Sequence, residues 1–298
     1  MAHIPVLADE VIKFLDPKKN ENFIDCTLGD GGHSAELLRR TAPNGKVLGF
    51  DLDSEAVKVV RKNLEEFGSR LIVRNESYAN LNKAVAEEKF GPADGALMDF
   101  GFSSPQLEDR GRGFSFQRDE PLDMSYSTAA DHLTAAEIVN VWTKDEITRV
   151  LAEFGEEHLA ERIAAKIVSA RHHKHIISTV QLVEVIKAAV PKNYEHGRIH
   201  PATRTFQALR IAVNGELDSV NAVLPQALAA LKPGGRLVCI SFHSLEDRLV
   251  KSFFKEMSAK RKIEILTPKP ITATEKEIQN NPRSRSAKLR AAIVRSDT

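Results

Sequence analysis

The chain has 298 residues, a net charge of +1 and a composition of 42% hydrophobic and 28% charged residues, the balance of a globular protein with room for one large domain or two ordinary ones. No run reaches the ~18 apolar residues of a membrane span, and MAHIPVLADEVIKFL, with Asp9, Glu10 and no small-residue cleavage site, does not read as a secretory leader. The near-neutral total excludes a polycation, yet from Lys251 onward twelve Lys and Arg stand against five acids, an imbalance that permits a basic face for nucleic acid.

In chain order, NFIDCTL (22–28) is a short apolar run, predicted as a strand, that ends in a glycine cluster. SAELLRRT follows as a helix. KVLGFDLD (46–53) is a second strand closing on acids. SEAVKVVRKNLEEFG (54–68) places Val57, Val60, Leu64 and Phe67 at helical spacing and stops on Gly68. RLIVRN (70–75) is a third strand, LNKAVAEEKFG a helix, and DGALMDFGF (94–102) a fourth strand. Strands alternating with helices predict right-handed crossovers and a parallel sheet. Residues 103–128 then lose all period. TAAE (134–137) and TKDE (143–146) are capping-box patterns, a Thr with Glu three residues on. EEHLAERIAAKIVSAR (156–171) aligns Leu159, Ile163 and Ile167, and TVQLVEVIKAAV runs to Pro191. Strand-like sequence resumes at GRLVCISF (235–242), after a helix ending at LKPGG, and IEILT (263–267) with KLRAAIVR (288–295) completes about seven strands. The expected fold is α/β, a Rossmann-like seven-stranded sheet over 1–104 and 206–298, with an all-helical insertion at 105–205.

The chemistry concentrates in DCTLGDGGHS (25–34). Ligands of parallel sheets sit beyond the strands' C-terminal ends. Glycine brings backbone close to a ligand and takes φ > 0 cheaply, and the next helix offers unpaired N–H groups there. Gly29, Gly31 and Gly32 exceed what a tight turn needs. Asp51, about twenty residues on at the end of the second strand, suits ribose hydroxyls. The loop alone fits a dinucleotide or S-adenosylmethionine. The spacing Asp25-x-x-x-Gly29-x-Gly31 resembles the first motif of class I methyltransferases, and the final strand pair resembles the hairpin that closes their sheet.

MDFGFSSPQ (98–106) leaves the fourth strand where such enzymes hold the group to be methylated. Asp99 suits an exocyclic amine or the cofactor, and Ser103 and Ser104 a flipped base. Methylating carbon 5 of a pyrimidine needs a nearby thiolate. Cys26 and Cys239 lie in strand-like runs instead, so direct transfer to an exocyclic nitrogen is expected, with positioning as the main catalytic device. Apolar surroundings also mark both as buried free thiols of a reducing, cytoplasmic setting. RHHKH (171–175) lacks zinc spacing and reads as a basic helix end; no metal is expected. In ISFHSLEDRLVK (240–251), Ser244 is the expected N-cap, with Phe242 and His243 projecting at the active edge.

With these segments in place, the chain resembles the RsmH (MraW) family of S-adenosylmethionine-dependent methyltransferases. The resemblance runs from HIPVLADEV to NPRSRSAKLRAA and rests on DCTLGDGGHS, MDFGFSSPQL, RGFSF with PLDM, TFQALRIAVNGEL and PGGRLVCISFHSLEDR. It implies a class I S-adenosylmethionine-dependent methyltransferase domain interrupted by a helical RNA-recognition insertion. It also implies N4-methylation of a cytidine in the decoding region of 16S rRNA, within the small ribosomal subunit. Gly31, Gly32, His33, Asp51, Tyr78, Asp99 and Gln106 would hold S-adenosylmethionine. Asp99, Ser103, Ser104 and His243 would serve the acceptor. The partner implied is 16S rRNA in the small subunit, with no membrane; the sequence leaves a homodimer open and does not fix the oligomeric state. The rival from another class is a non-catalytic small-subunit assembly factor that keeps the cofactor fold. Departures from the family pattern are Ser125-Tyr126 after PLDM, where Arg and Met are usual, and Gly215, where an acid is usual. Arg110, Arg112, Arg118, Arg198 and Arg204 are candidate phosphate contacts.

Overall fold

The computed structural model describes residues 4–100, 111–127, 132–194 and 199–296. The chain forms two compact units, Met1–Ser103 with Leu217–Thr298, and Ser104–Glu216.

The first unit is built on a mixed sheet. Its strands are β1 Phe23–Asp25, β2 Val47–Phe50, β3 Leu71–Arg74, β4 Ala93–Asp99, β5 Leu231–Ser241, β6 Ile263–Ile265, β7 Ile271–Thr272 and β8 Lys288–Val294. The order is β3-β2-β1-β4-β5-β8-β6, with the two-residue β7 added on β8, one strand more than the sequence reading counted. Strands β1 to β5 pair in parallel. β8 is antiparallel to β5, β6 and β7. The order turns back between β1 and β4, so the crevice beyond their C-terminal ends is the ligand edge of such a sheet.

Alternation divides the strands between two cores. Ile24, Leu48, Phe50, Ala96, Met98, Leu237 and Cys239 share one face with Leu81, Val223, Leu224, Val250 and Phe254. Phe23, Val47, Leu97, Val238 and Ile240 share the other with Val11, Leu15, Leu37 and Leu38. Both faces are covered, which is why these strands read as continuous apolar runs. One strand begins earlier than expected: β5 takes in LKPGG, and its register against β4 jumps from Ala93–Leu231 to Gly95–Arg236. The intervening residues bulge outward, with Gly234 at φ 80°.

A strap from Ile4 to Leu7 ties the two ends of the chain together. Leu7 N donates to Glu277 Oε1 (2.8 Å), and Asn281 Nδ2 donates to Ile4 O (3.0 Å). Pro5 lies against Gly32, where an added Cβ would stand 2.5 Å from Pro5 Cγ.

The second unit packs helices Ala135–Val141, Lys144–Gly155, Ala160–Arg171, Thr179–Ala189 and Thr203–Asn214 around Ile138, Ile147, Leu151, Ile163, Ile167, Leu182, Ile186 and Leu209. Thr134 accepts from Glu137 N, and Thr143 with Glu146 completes a reciprocal capping box. The family departures find local partners here. Tyr126 stacks on Phe114 (5.5 Å between centroids), and its hydroxyl donates to Glu216 Oε1 (3.0 Å). Gly215 ends the last helix at φ 58°, and the next residue, Glu216, accepts from Arg210 Nε and Nη2 at 2.9 and 3.0 Å.

Gly155 permits a close helix approach in this unit's core, since a Cβ there would meet Arg204 O at 2.7 Å. Gly155→Ala is expected to force the helices Lys144–Gly155 and Thr203–Asn214 apart and cost about 1–3 kcal/mol. Calorimetric unfolding checks this; an unchanged midpoint would refute the close approach.

Candidate functional site

The site grows from the end of β1. Asp25 is 1% exposed. Its Oδ2 accepts from Ser34 Oγ at 2.6 Å and its Oδ1 from Thr27 N at 3.2 Å. Burial pushes this carboxyl up, and the Ser34 hydroxyl opposes the shift. Thr27 Oγ1 in turn accepts from Asp99 N at 2.7 Å. Thr27 and Ser34 lie inside the glycine motif but were not singled out from the sequence. Their signal is spacing alone, two and nine residues after a strand-end Asp.

Between those anchors the loop turns through left-handed backbone. Gly29 has φ 50° and Gly31 φ 82°. Gly31 N donates to Leu28 O (2.8 Å) and begins the helix Gly32–Arg40 without a side-chain cap. The space a Cβ would take at Gly31 is filled by Val60 Cγ2. Gly31 and Gly32 are thus fixed by packing against Val60 and Pro5 as well as by backbone conformation.

Two side chains of the loop and its helix hold buried polar atoms without a partner, Asp30 Oδ1 and His33 Nε2. His33 is buried and its Nε2 stands 3.6 Å from Asp99 Oδ2, beyond hydrogen-bond range. At the next strand end, Asp51 accepts from Gly29 N (3.0 Å, Oδ2) and Asp53 N (2.9 Å, Oδ1). Burial outweighs those two bonds and raises its carboxyl to about 6. Each oxygen retains a free acceptor direction. Tyr78, in the turn Tyr78–Asn80 after β3, packs against Phe100 with centroids 6.3 Å apart. The edge therefore collects Gly31, Gly32, His33, Asp51, Tyr78 and Asp99 from the ends of four neighbouring strands. Such an edge offers backbone N–H groups, an acid at the ribose position of the fold, and a second acid beside an imidazole.

The end of β5 lies at the same edge, since Phe100 N donates to Ile240 O (3.0 Å). Here one expectation is corrected. The N-cap of helix Ser244–Ala259 is His243, not Ser244: His243 has extended backbone, and its Nδ1 accepts from Glu246 N at 3.4 Å. Glu246 reaches back to Phe242 N (2.8 Å), and its Oε1 stands 3.0 Å from His243 Nε2. A ring can cap as a Ser does because Nδ1 occupies the acceptor position of a hydroxyl.

Both thiols are buried and free. Burial raises each well above the ordinary thiol range, so neither is a ready nucleophile. Ser103, Ser104, Gln106, Arg110 and Arg198 lie outside the described residues. Arg112 donates to the carbonyls of Ser125 and Tyr126, and Arg204 to that of Glu156, so both guanidiniums serve the second unit's own loops. Arg118 is exposed. No helix among the described residues is long and apolar enough to cross a membrane.

Residues 1–295 match the MraW methylase family. Ribosomal RNA small subunit methyltransferase H of Geotalea daltonii is 46% identical, covering 97% of this chain and 97% of that protein. The protein of the same name from Syntrophotalea carbinolica is 45% identical over 97% of this chain and 96% of its own length. The one from Heliobacterium mobile is 44% identical over 97% and 98%. Agreement over the whole length, on a sheet of this order with a glycine loop after β1, leaves one assignment: the chain belongs to the MraW methylase family and is a class I methyltransferase with S-adenosylmethionine as its methyl donor.

Proposed function

We propose that the chain methylates N4 of one cytidine in the decoding region of 16S ribosomal RNA, acting in the cytoplasm on the assembled small subunit. The observation that carries this reading is the full-length similarity to relatives named for the ribosomal RNA of the small subunit. The burial of both thiols supports direct transfer, because an exocyclic amine needs no covalent adduct.

The residues at the edge fit the cofactor. His33 Nε2 and Asp30 Oδ1 are buried without partners, the pattern of groups awaiting a polar ligand. Asp51 would accept hydrogen bonds from the ribose hydroxyls, Tyr78 would flank the adenine, and Gly31, Gly32 and His33 would line the methionine portion. Gln106 completes this set. When bound, S-adenosylmethionine supplies a sulfonium-activated methyl group for the acceptor nitrogen. Asp99 orients the acceptor amine through one carboxylate oxygen, its backbone fixed by Thr27. Ser103, Ser104 and His243 contact the extruded base. The amine's surplus proton passes to water, so the main contribution of these groups is alignment and exclusion of solvent. A second copy of the chain completes the proposed assembly as a homodimer.

Labelled S-adenosylmethionine with small subunits from a strain lacking this protein tests the reaction. N4-methylated cytidine from subunits, with little from naked RNA, is the expected result; no label despite cofactor binding would sink the acceptor assignment. Asp99→Ala is expected to lower kcat by at least about tenfold, read from the same label, while cofactor affinity measured by calorimetry falls less. Asp51→Asn is expected to weaken cofactor binding about 10- to 100-fold, the scale of a hydrogen bond to a charged group. The carboxyl titrates at about 6 in the free protein, and ribose hydroxyls favour the ionised form. Cofactor affinity is therefore expected to hold above pH 7 and to fall as pH drops through 6, by up to about tenfold per unit. In the free protein the same group acts with opposite sign. Its contribution to stability is full below the unfolded carboxyl's range and is lost as pH rises through about 6. Parallel titrations of affinity and unfolding midpoint against pH separate the two.

A further inference from the structure

The RHHKH run has no part in the chemistry above, and its surroundings suggest a separate use. From Arg162 to Val183 the chain carries four Lys or Arg and three His, with no acid. On the helix Ala160–Arg171, Arg162 and Lys166 are exposed and one turn apart, so they share a face. After the helix come exposed His172, His173, Lys174 and His175. Cations there also complement the helix dipole, which accounts for the run's charge but not for what stands beside it.

Beside it is an apolar patch. Of the five exposed large hydrophobic residues described, three meet here: Val141 (68% exposed), Ile177 (58%) and Val180 (42%). Asn140 brings Val141 and Ile177 together, and Val180 follows three residues after Ile177. Asn140 Nδ2 donates to Ile176 O at 2.7 Å and its Oδ1 accepts from Ile176 N at 2.9 Å, so Val141 and Ile177 each lie one residue beyond the clasp. Arg171 Nη1 donates to Val139 O and Trp142 O (3.0 and 2.6 Å), which seats the basic helix end against the same corner. Trp142 is half-buried there. Acids also stand nearby: Glu137 lies a turn back on the helix Ala135–Val141, exposed Asp119 precedes Glu120, whose backbone carbonyl accepts from Thr179 N, and exposed Asp145 follows Lys144, while Glu184 pairs with Lys187 and Glu161 with Lys144.

A line of cations leading to an exposed apolar patch matches a polyanion that also presents apolar faces. A nucleic-acid strand does so, with phosphates on one side and bases and sugars on the other. An acidic protein would satisfy the cations alone, and an apolar protein partner would leave them unpaired. We propose that this corner of the second unit is a docking surface for an RNA strand of the small subunit. Phosphates would lie along Arg162, Lys166 and Lys174, and a base or sugar on Val141, Ile177 and Val180. The proposal rests on the substrate reading above and adds where RNA is held.

The test uses the full-length enzyme and small subunits from a strain lacking it. Lys166→Glu with Lys174→Glu is expected to raise the KM for subunits about tenfold and to flatten its salt dependence, by about one unit of log–log slope for each lysine–phosphate pair removed. Cofactor affinity and unfolding midpoint should stay within error, and the Lys→Arg pair should restore KM. In parallel, Ile177→p-benzoylphenylalanine is expected to photo-crosslink to ribosomal RNA, the adduct collapsing on RNase treatment. A wild-type KM and salt slope in the glutamate pair would overturn the proposal. So would a crosslink to a ribosomal protein, or none while methylation proceeds. If the wild-type enzyme methylates no subunits at all, the substrate reading fails and this surface with it. If it does and the variants match it, only the surface fails.

Discussion

One buried carboxylate sets the geometry on which the methyl-donor edge depends. Asp25 ends β1 inside the protein and accepts from Ser34 on the following helix and from Thr27 in the intervening loop. Thr27 passes the constraint to β4 by accepting from Asp99 N. The glycine loop and the start of the acceptor segment are thus fastened to one point. A carboxyl group out of water is costly unless it is hydrogen-bonded. The two donors offset that cost only while the loop keeps its shape, so the penalty itself specifies the conformation.

The loop's glycines serve this arrangement in two ways. Left-handed backbone at Gly29 and Gly31 turns the chain sharply into the helix, and the missing Cβ atoms let Val60 and Pro5 close in from behind. The strap carrying Pro5 is itself held by Glu277 and Asn281 near the other end of the sequence. A loop that must hold still for a ligand is therefore backed by packing rather than left free, as preorganised binding requires.

The second unit reaches its order by different means. Its helices are capped by Thr134 and Thr143 and packed through a continuous apolar core. Its longer loops are tied by side chains bonded to backbone: Arg112 to Ser125 and Tyr126, Asn214 to Met124, Arg204 to Glu156. Long polar side chains substitute there for the ladder bonds that irregular backbone lacks. Arginines that look free for phosphate in the sequence are spent in this way, as is Arg171, while Arg162, Lys166 and Lys174 remain at the surface.

The sequence by itself determined the strands β1 to β5, most of the helices and the glycine loop, because apolar period and turn residues are local signals. Asp51 was legible for the same reason, standing at the end of a recognisable strand. It also displayed the motifs that mark the family. Tertiary structure alone decided the rest. That Asp25 is a buried anchor, that Thr27 joins two strand ends, and that His243 rather than Ser244 caps its helix all depend on which atoms meet across the sheet. So does the early start of β5, whose LKPGG reads as a helix end until Ala93 pairs with Leu231. Hydrogen-bond partners far apart in the chain leave no periodic trace in it. The same limit hid the corner at Asn140 and Ile176, thirty-six residues apart in sequence and two hydrogen bonds apart in space.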